Sequence, residues 1–197
     1  MKKIFTTTNS YKIIKYVRKN EKQINIEKNT LEQLIRVAQN SFGSSMSRNE
    51  VINHLIPNDV IFIAYKNDLA IGFAGNIYKN DNLYLSGAVL ETIEQNKGLY
   101  KLLTTLRIEH GLEKNITSIT TATQNPRVEK GIINVLNEFY SNNKINRYEV
   151  KRELLNSRYG RMLTEIRPYS LDQELNLIYS KLNYEKGDAF LITFTLK

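Results

Sequence analysis

Apolar residues recur along this chain at two spacings, three-to-four and two, and the switches between them predict the order of elements. Tyr11 to Val17 reads as a first strand on imperfect alternation. Thr30 reads as the N-cap of a helix running to Asn40, with Leu31, Leu34, Ile35 and Ala38 on its inner face. After Gly43-Ser44-Ser45 a shorter helix starts at Ser47, whose capping box closes with Glu50, and it ends before Pro57. Strands at Val60 to Tyr65 and Leu69 to Tyr78 follow, joined by the short hairpin connection Lys66-Asn67-Asp68. Asn80-Asp81-Asn82 then turns the chain into a mostly buried strand through Leu90, ending at Glu91-Thr92.

Leu99, Leu102, Leu103 and Leu106 fall at i, i+3, i+4 and i+7, which gives a helix to about Glu113 with one apolar stripe. Ile116 to Thr123 is a strand, and Asn125-Pro126 opens a helix with Val128, Ile132, Val135, Leu136 and Phe139 on one face. From Ser141 to Gly187 the pattern loosens: short helices are expected near Glu149 to Leu155 and Leu171 to Leu182, and a strand near Leu163 to Arg167. Asp188 to Leu196 reads as the last strand. The order is that of a mixed α/β protein around one sheet, and 197 residues suit a single domain, with 141–187 as an elaborated helical region inside it. The stripe Leu171, Leu175, Ile178 and Leu182 suits a core face, an acceptor-pocket wall or a homodimer surface.

Composition narrows the chemistry. With no cysteine, disulfides, thiolate nucleophiles and cysteine metal sites are excluded, and the two histidines show no metal-ligand spacing. No apolar run is long enough for a bilayer span, and Met1-Lys2-Lys3-Ile4-Phe5 leads into threonines and lysines rather than an apolar signal core. A cytoplasmic location is the default expectation. The formal charge of +8 is spread along the chain without a basic block, which fits a solvated lysine-rich surface. It also suits an acidic partner, but there is no zinc-finger spacing and no Arg/Lys-Gly-aromatic motif, so a nucleic-acid module ranks low.

The most informative stretch is Gln95-Asn96-Lys97-Gly98-Leu99-Tyr100, between the buried strand and the Leu99 helix. The first turn of a helix leaves backbone N–H groups without intrahelical partners, and the aligned peptide dipoles add partial positive charge there. Gly98 lets a ligand approach, so this is where an anion belongs. At this loop the chain resembles the GNAT superfamily of acyl-CoA-dependent N-acyltransferases. That family's hallmark is Gln or Arg, two residues, Gly, one residue, then Gly or Ala; here Tyr100 takes the last place. The order of elements over residues 30–140 supports the likeness. It implies a single mixed, mostly antiparallel sheet with helices on both faces, acetyl-CoA as co-substrate and an amine of unknown identity as acceptor.

Carried over by position, the resemblance implies that Gln95, Asn96, Lys97, Gly98, Leu99, Tyr100 and Lys101 hold the coenzyme pyrophosphate through main-chain N–H groups, with the Tyr100 ring turned away. It implies that Ala88, Val89 and Leu90 pair with the pantetheine arm, the N–H near Leu90 facing the thioester oxygen. Gly87 suits a bulge at that point or simple relief of crowding. Two family positions depart: Leu85 stands where one branch keeps a glutamate base, and Ile132 where a tyrosine acid is common. Glu91 and Glu94 are then candidate bases, though both are expected to face solvent, and a water-mediated base is equally open; Tyr140 is a substitute acid or a half-buried packing residue. Asn125 suits a helix cap or a contact to the coenzyme arm. His54 falls in a region that borders the acceptor pocket in this family, while His110 reads as a packed or rim histidine. The missing glutamate and tyrosine leave room for a non-catalytic acyl-CoA-binding protein of the same fold.

Overall fold

The structure, a computed structural model, describes residues 2–7, 11–18, 24–43 and 46–197. The chain forms two compact units, one of Met1–Lys79 with Tyr84–His110 and one of Asn80–Leu83 with Gly111–Lys197. The first contains β1 (Lys2–Thr7), β2 (Lys12–Val17), α1 (Lys28–Phe42), α2 (Arg48–Leu55), β3 (Val60–Lys66), β4 (Leu69–Lys79), most of β5 (Asn82–Leu90) and most of α3 (Leu99–Leu112). Its strands lie in the order β1-β2-β3-β4-β5, and the first four pair antiparallel, with Ile14 opposite Ile63 and Phe62 opposite Ala74. The β3–β4 turn is built on Asn67 and Asp68 at φ 49° and 60°, the left-handed pair that a tight hairpin with right-handed strand twist requires.

Helices cover both faces of these strands, which is why β3 is buried almost from end to end instead of alternating. Ile61, Ile63 and Phe73 pack with Leu34, Ile35, Val37 and Ala38 of α1 and Val51 and Leu55 of α2. Val60, Phe62, Ala64, Ile71 and Ala74 pack on the other face with Leu99, Leu103 and Leu106 of α3. The Ser47–Glu50 capping box forms as expected: each residue's side chain bonds the other's backbone N–H. Thr30, in contrast, is no cap. α1 begins at Lys28 with Glu27 in the cap position and no side-chain cap bond, and Thr30 is buried within the first turn. Strand β1 was not expected from the sequence.

The second unit holds β6 (Ser118–Thr123), α4 (Pro126–Ser141), β7 (Tyr148–Leu155), α5 (Gln173–Tyr179) and β8 (Ala189–Leu196), with strand order β6-β8-β7. Both pairings are antiparallel, and Phe194 of β8 lies opposite Ile119 on one side and Val150 on the other. Three expectations fail here. Residues 149–155 are strand, not helix, because β8 supplies a full ladder of partners from Leu196 back to Ala189. Residues 163–167 form no strand, and the expected 171–182 helix is the shorter α5, with Leu171 99% exposed and only Leu175 and Leu182 of the stripe buried. On α4, Ile132, Val135, Leu136 and Phe139 are buried as expected, but Glu129 is buried with them while Val128 is only half-buried. Two bonds from Arg152 Nε and Nη2 to Glu129 Oε1, at 2.8 and 2.5 Å, and one from Tyr179 OH to Oε2, at 3.1 Å, satisfy that carboxylate.

Candidate active site

β5 delivers the chain to the expected anion site in the first unit. Leu85 is buried, Ala88 and Leu90 pack toward the α3 side, and Val89 packs toward α1 and α2. Beyond Leu90 the strand is tied down at once: Glu91 N donates to Ile71 O at 2.8 Å, and Leu90 O accepts from Ser41 Oγ at 2.5 Å. The Gln95 side chain turns back on the strand, its Nε2 3.5 Å from the same Leu90 oxygen, and so does not reach into the loop.

A short 3-10 turn, Thr92–Glu94, precedes the loop and brings Glu94 inside. This overturns the expectation of a solvent-facing carboxylate. Glu94 is buried, accepts from Lys66 Nζ at 2.8 Å and Tyr11 OH at 2.9 Å, and has Lys97 Nζ at 3.5 Å. The hydrogen bond from Lys66 holds its carboxyl below the usual range, outweighing the opposite effect of burial. Glu91 is only partly exposed, bonded by Asn40 Nδ2 at 3.2 Å and faced by Arg36 Nε at 3.7 Å. Both carboxylates thus have structural partners.

Asn96 and Gly98 take left-handed conformations, at φ 61° and 81°, and nothing lies within 4 Å of where a Cβ on Gly98 would stand. The loop therefore passes an open space at the start of α3, with the glycine conformation required by the turn itself. Gln95, Asn96, Lys97, Gly98 and Lys101 are exposed; Leu99 is buried and anchors the helix. Tyr100 is half-buried and packs into the apolar cluster beneath α3, and burial raises its phenol pKa. A coenzyme pyrophosphate fits these residues: a side chain at Gly98 would fill the space that the backbone leaves open.

On the α2 side of β5, Gly87 has φ 143°, and a Cβ there would stand 2.6 Å from His54 Nε2. His54 therefore abuts the strand backbone just ahead of Ala88. Asn58 fixes this approach: its Nδ2 donates to the carbonyls of His54 and Leu55 at 2.8 and 3.0 Å, and its Oδ1 accepts from Ser86 Oγ. Sequence spacing gave no signal for this, because the partners lie about thirty residues apart.

His110 is packed as expected. Its Nδ1 is 2.6 Å from Tyr78 OH, and its ring meets Phe62 edge-on. Beside it lies a feature that the sequence did not suggest: Arg107 of α3 is 2% exposed, with Nε donating to Asn76 Oδ1 at 3.0 Å and Nη2 to Gly75 O at 2.6 Å.

The remaining candidates belong to the second unit. Asn125 is the N-cap of α4, its side chain accepting from Arg127 N at 2.9 Å. Tyr140 is 56% exposed near the other end of that helix, about 22 Å further along at 1.5 Å per residue. Its exposure differs from the half-buried packing expected of a tyrosine at that position. Among the described residues no group of three or more His, Asp or Glu is placed to hold a metal, and no helix is long and apolar enough to cross a membrane.

No protein-family model matches the sequence. No curated protein matches it either. Solved structures do match. The ribosomal-protein-S18-alanine N-acetyltransferase of Escherichia coli superposes with TM-score 0.56 at 10% identity, over 89% of this chain and 92% of that one. An acetyltransferase of Bacillus subtilis, solved in complex with CoA, gives 0.51 at 11% identity over 89% and 97%. A GNAT-family protein from Desulfovibrio desulfuricans gives 0.51 at 12% identity over 89% and 96%. At such low identity the likeness is one of backbone: the chain shares the acyl-CoA N-acyltransferase fold of these structures.

Proposed function

We propose that this chain is an acetyl-CoA-dependent N-acetyltransferase acting on an amine. The observation that carries the reading is the open loop at Gly98, in left-handed conformation at the start of α3 and directly downstream of β5. Main-chain N–H groups from Asn96 to Lys101 would receive the pyrophosphate, the Gln95 N–H being engaged by Thr92 O at 3.3 Å, and each charge-assisted bond would contribute about 1.5–3 kcal/mol. Ala88, Val89 and Leu90 would pair with the pantetheine arm as though with another strand, which holds the thioester carbonyl at the end of β5. The Leu90 carbonyl is already engaged by Ser41, so this pairing falls to the other main-chain groups of the three residues. Acetyl-CoA supplies the thioester; the chain orients it and receives the amine. Asn125 adds nothing that the reading needs beyond its cap.

The reading is tested by thermal denaturation with acetyl-CoA. At a hundred times its dissociation constant the ligand stabilises the fold by about 2.7 kcal/mol. Gly98→Val, whose branched side chain is strained at this φ and occupies the open space, is expected to remove that stabilisation. No shift with the wild-type chain at millimolar acetyl-CoA sinks the reading. Leu85 and Ile132 favour a second reading, a binding protein without turnover. Stabilisation by acetyl-CoA with no CoA release across a broad amine panel would establish that alternative.

A further inference from the structure

An amine acceptor arrives as an ammonium, with a pKa near 10, and cannot attack until it loses a proton. That proton passes to a side chain beside β5, directly or through a water, or to solvent. Neither nearby carboxylate is available, since Glu94 is held by Lys66 and Tyr11, and Glu91 by Asn40 and Arg36. The mid-strand position is Leu85. The imidazole of His54, by contrast, lies against Gly87, immediately before the segment proposed to hold the thioester. Among the described residues its side chain has no hydrogen-bond partner, and while the ring packs against the strand backbone at Gly87 the residue keeps part of its surface open to solvent.

We propose that His54 is the general base of the transfer, with Asn58 and Gly87 as its positioning residues. The proposal rests on the acetyltransferase reading above and gives that site its missing proton acceptor. His54 Nε2 takes one proton from the acceptor ammonium. The amine's lone pair then forms the C–N bond as the C–S electron pair leaves on sulfur, and the second amine proton passes to that sulfur to give the CoA thiol. His54 returns its proton to water. Gly87 is required because any side chain there would displace the ring, and Asn58 ties the last turn of α2 to Ser86 on the strand.

The electrostatics agree. Desolvation against the strand lowers the His54 pKa below its ordinary value, and the positive charge of Arg107 on α3 pushes the same way. The other charged groups next to α2 have partners of their own: Glu50 bonds Ser47 N, and Arg18 faces Asp59 at 3.7 Å. The base is accordingly neutral and ready at pH 7.

The test uses the intact chain, acetyl-CoA and a panel of primary amines comprising an aliphatic monoamine, a polyamine, an aminoglycoside and a peptide α-amine. His54→Gln is expected to keep the thermal shift with acetyl-CoA while CoA release at pH 7 falls about 100-fold or more. The wild-type rate should rise through a pKa below about 6.5 and level off, whereas the variant's rate should keep rising toward the pKa of the amine. An independent readout is imidazole NMR, which is simple because the chain has two histidines. The signal lost in His54→Gln should titrate below the ordinary histidine value and move when acetyl-CoA is added. A His54→Gln chain that turns over like wild type, an imidazole titrating at or above the ordinary value, or no CoA release from any amine despite a retained shift, each overturns the role of His54 and leaves coenzyme binding standing. Loss of the shift in the wild type overturns the parent reading instead.

Discussion

The most deeply buried charged side chain described in each unit, Arg107 in the first and Glu129 in the second, is satisfied in a different way. Glu129 in the second unit, fully buried, meets an opposite charge from Arg152 and a hydroxyl from Tyr179. Arg107 in the first meets only neutral oxygens, those of Asn76 and Gly75, and among the described residues no carboxylate pairs with it. Burial lowers the Arg107 pKa to about 10, with Tyr100, Tyr78 and Tyr84 acting in the opposite direction. The contrast separates two kinds of buried charge. Glu129 is a crossing point for three elements, α4, β7 and α5, whose mutual placement depends on one carboxylate. Arg107 bridges α3 to β4 and leaves net positive charge in the interior, where it acts on His54.

The largest expected effect comes from breaking the compensated pair. Glu129→Ala leaves Arg152 and the Tyr179 hydroxyl without their acceptor and should cost about 3 kcal/mol in chemical denaturation, the lower end for a broken buried pair because Arg152 is 27% exposed. Arg107→Met removes a desolvated cation together with its hydrogen bonds, so these terms oppose each other and stability should change by no more than about 2 kcal/mol. A larger loss for Arg107→Met than for Glu129→Ala would reverse the comparison. The smallest effect belongs to Tyr179→Phe, which keeps the ring against Phe190 and loses only the bond to Glu129, for about 1 kcal/mol. A loss as large as that of Glu129→Ala would mean that the hydroxyl, and not Arg152, is the principal partner.

What could be read from the sequence divides along the same line. Apolar periodicity found α1 to α4 and β2 to β6 to within a few residues, because those elements bury continuous stripes or runs, and it found β8 for the same reason. It misread Glu149 to Leu155, where Glu, Lys, Arg and Leu carry high helix propensity, because the residues that make this segment a strand belong to β8, some forty positions later. Hydropathy also passes over a buried Glu129 or Arg107, since the partners that make burial tolerable lie 23, 31 and 50 residues away. At the candidate site the glycine and helix-start chemistry of the loop is local and was legible. The inward turn of Glu94 and the approach of His54 to Gly87 depend on tertiary contacts and were not.

Residues 156–188, between β7 and β8, form a loop closed at its neck: Asp188 accepts from the N–H groups of Ser157 and Asn183 at 2.9 and 3.0 Å, and Gly187 O accepts from Tyr159 N at 3.0 Å. A second anchor is Tyr179 on Glu129. Between the anchors the tip carries Ile166, Tyr169 and Leu171, all exposed. The entropy of closing a tethered segment grows only with the logarithm of its length, so doubling it costs about 0.6 kcal/mol. The exposed stretch about Ile166, ahead of the Tyr169 carbonyl that Arg127 holds, is accordingly where an insertion is expected to leave the β7–β8 ladder intact, and it is the natural place to graft a tag or reporter.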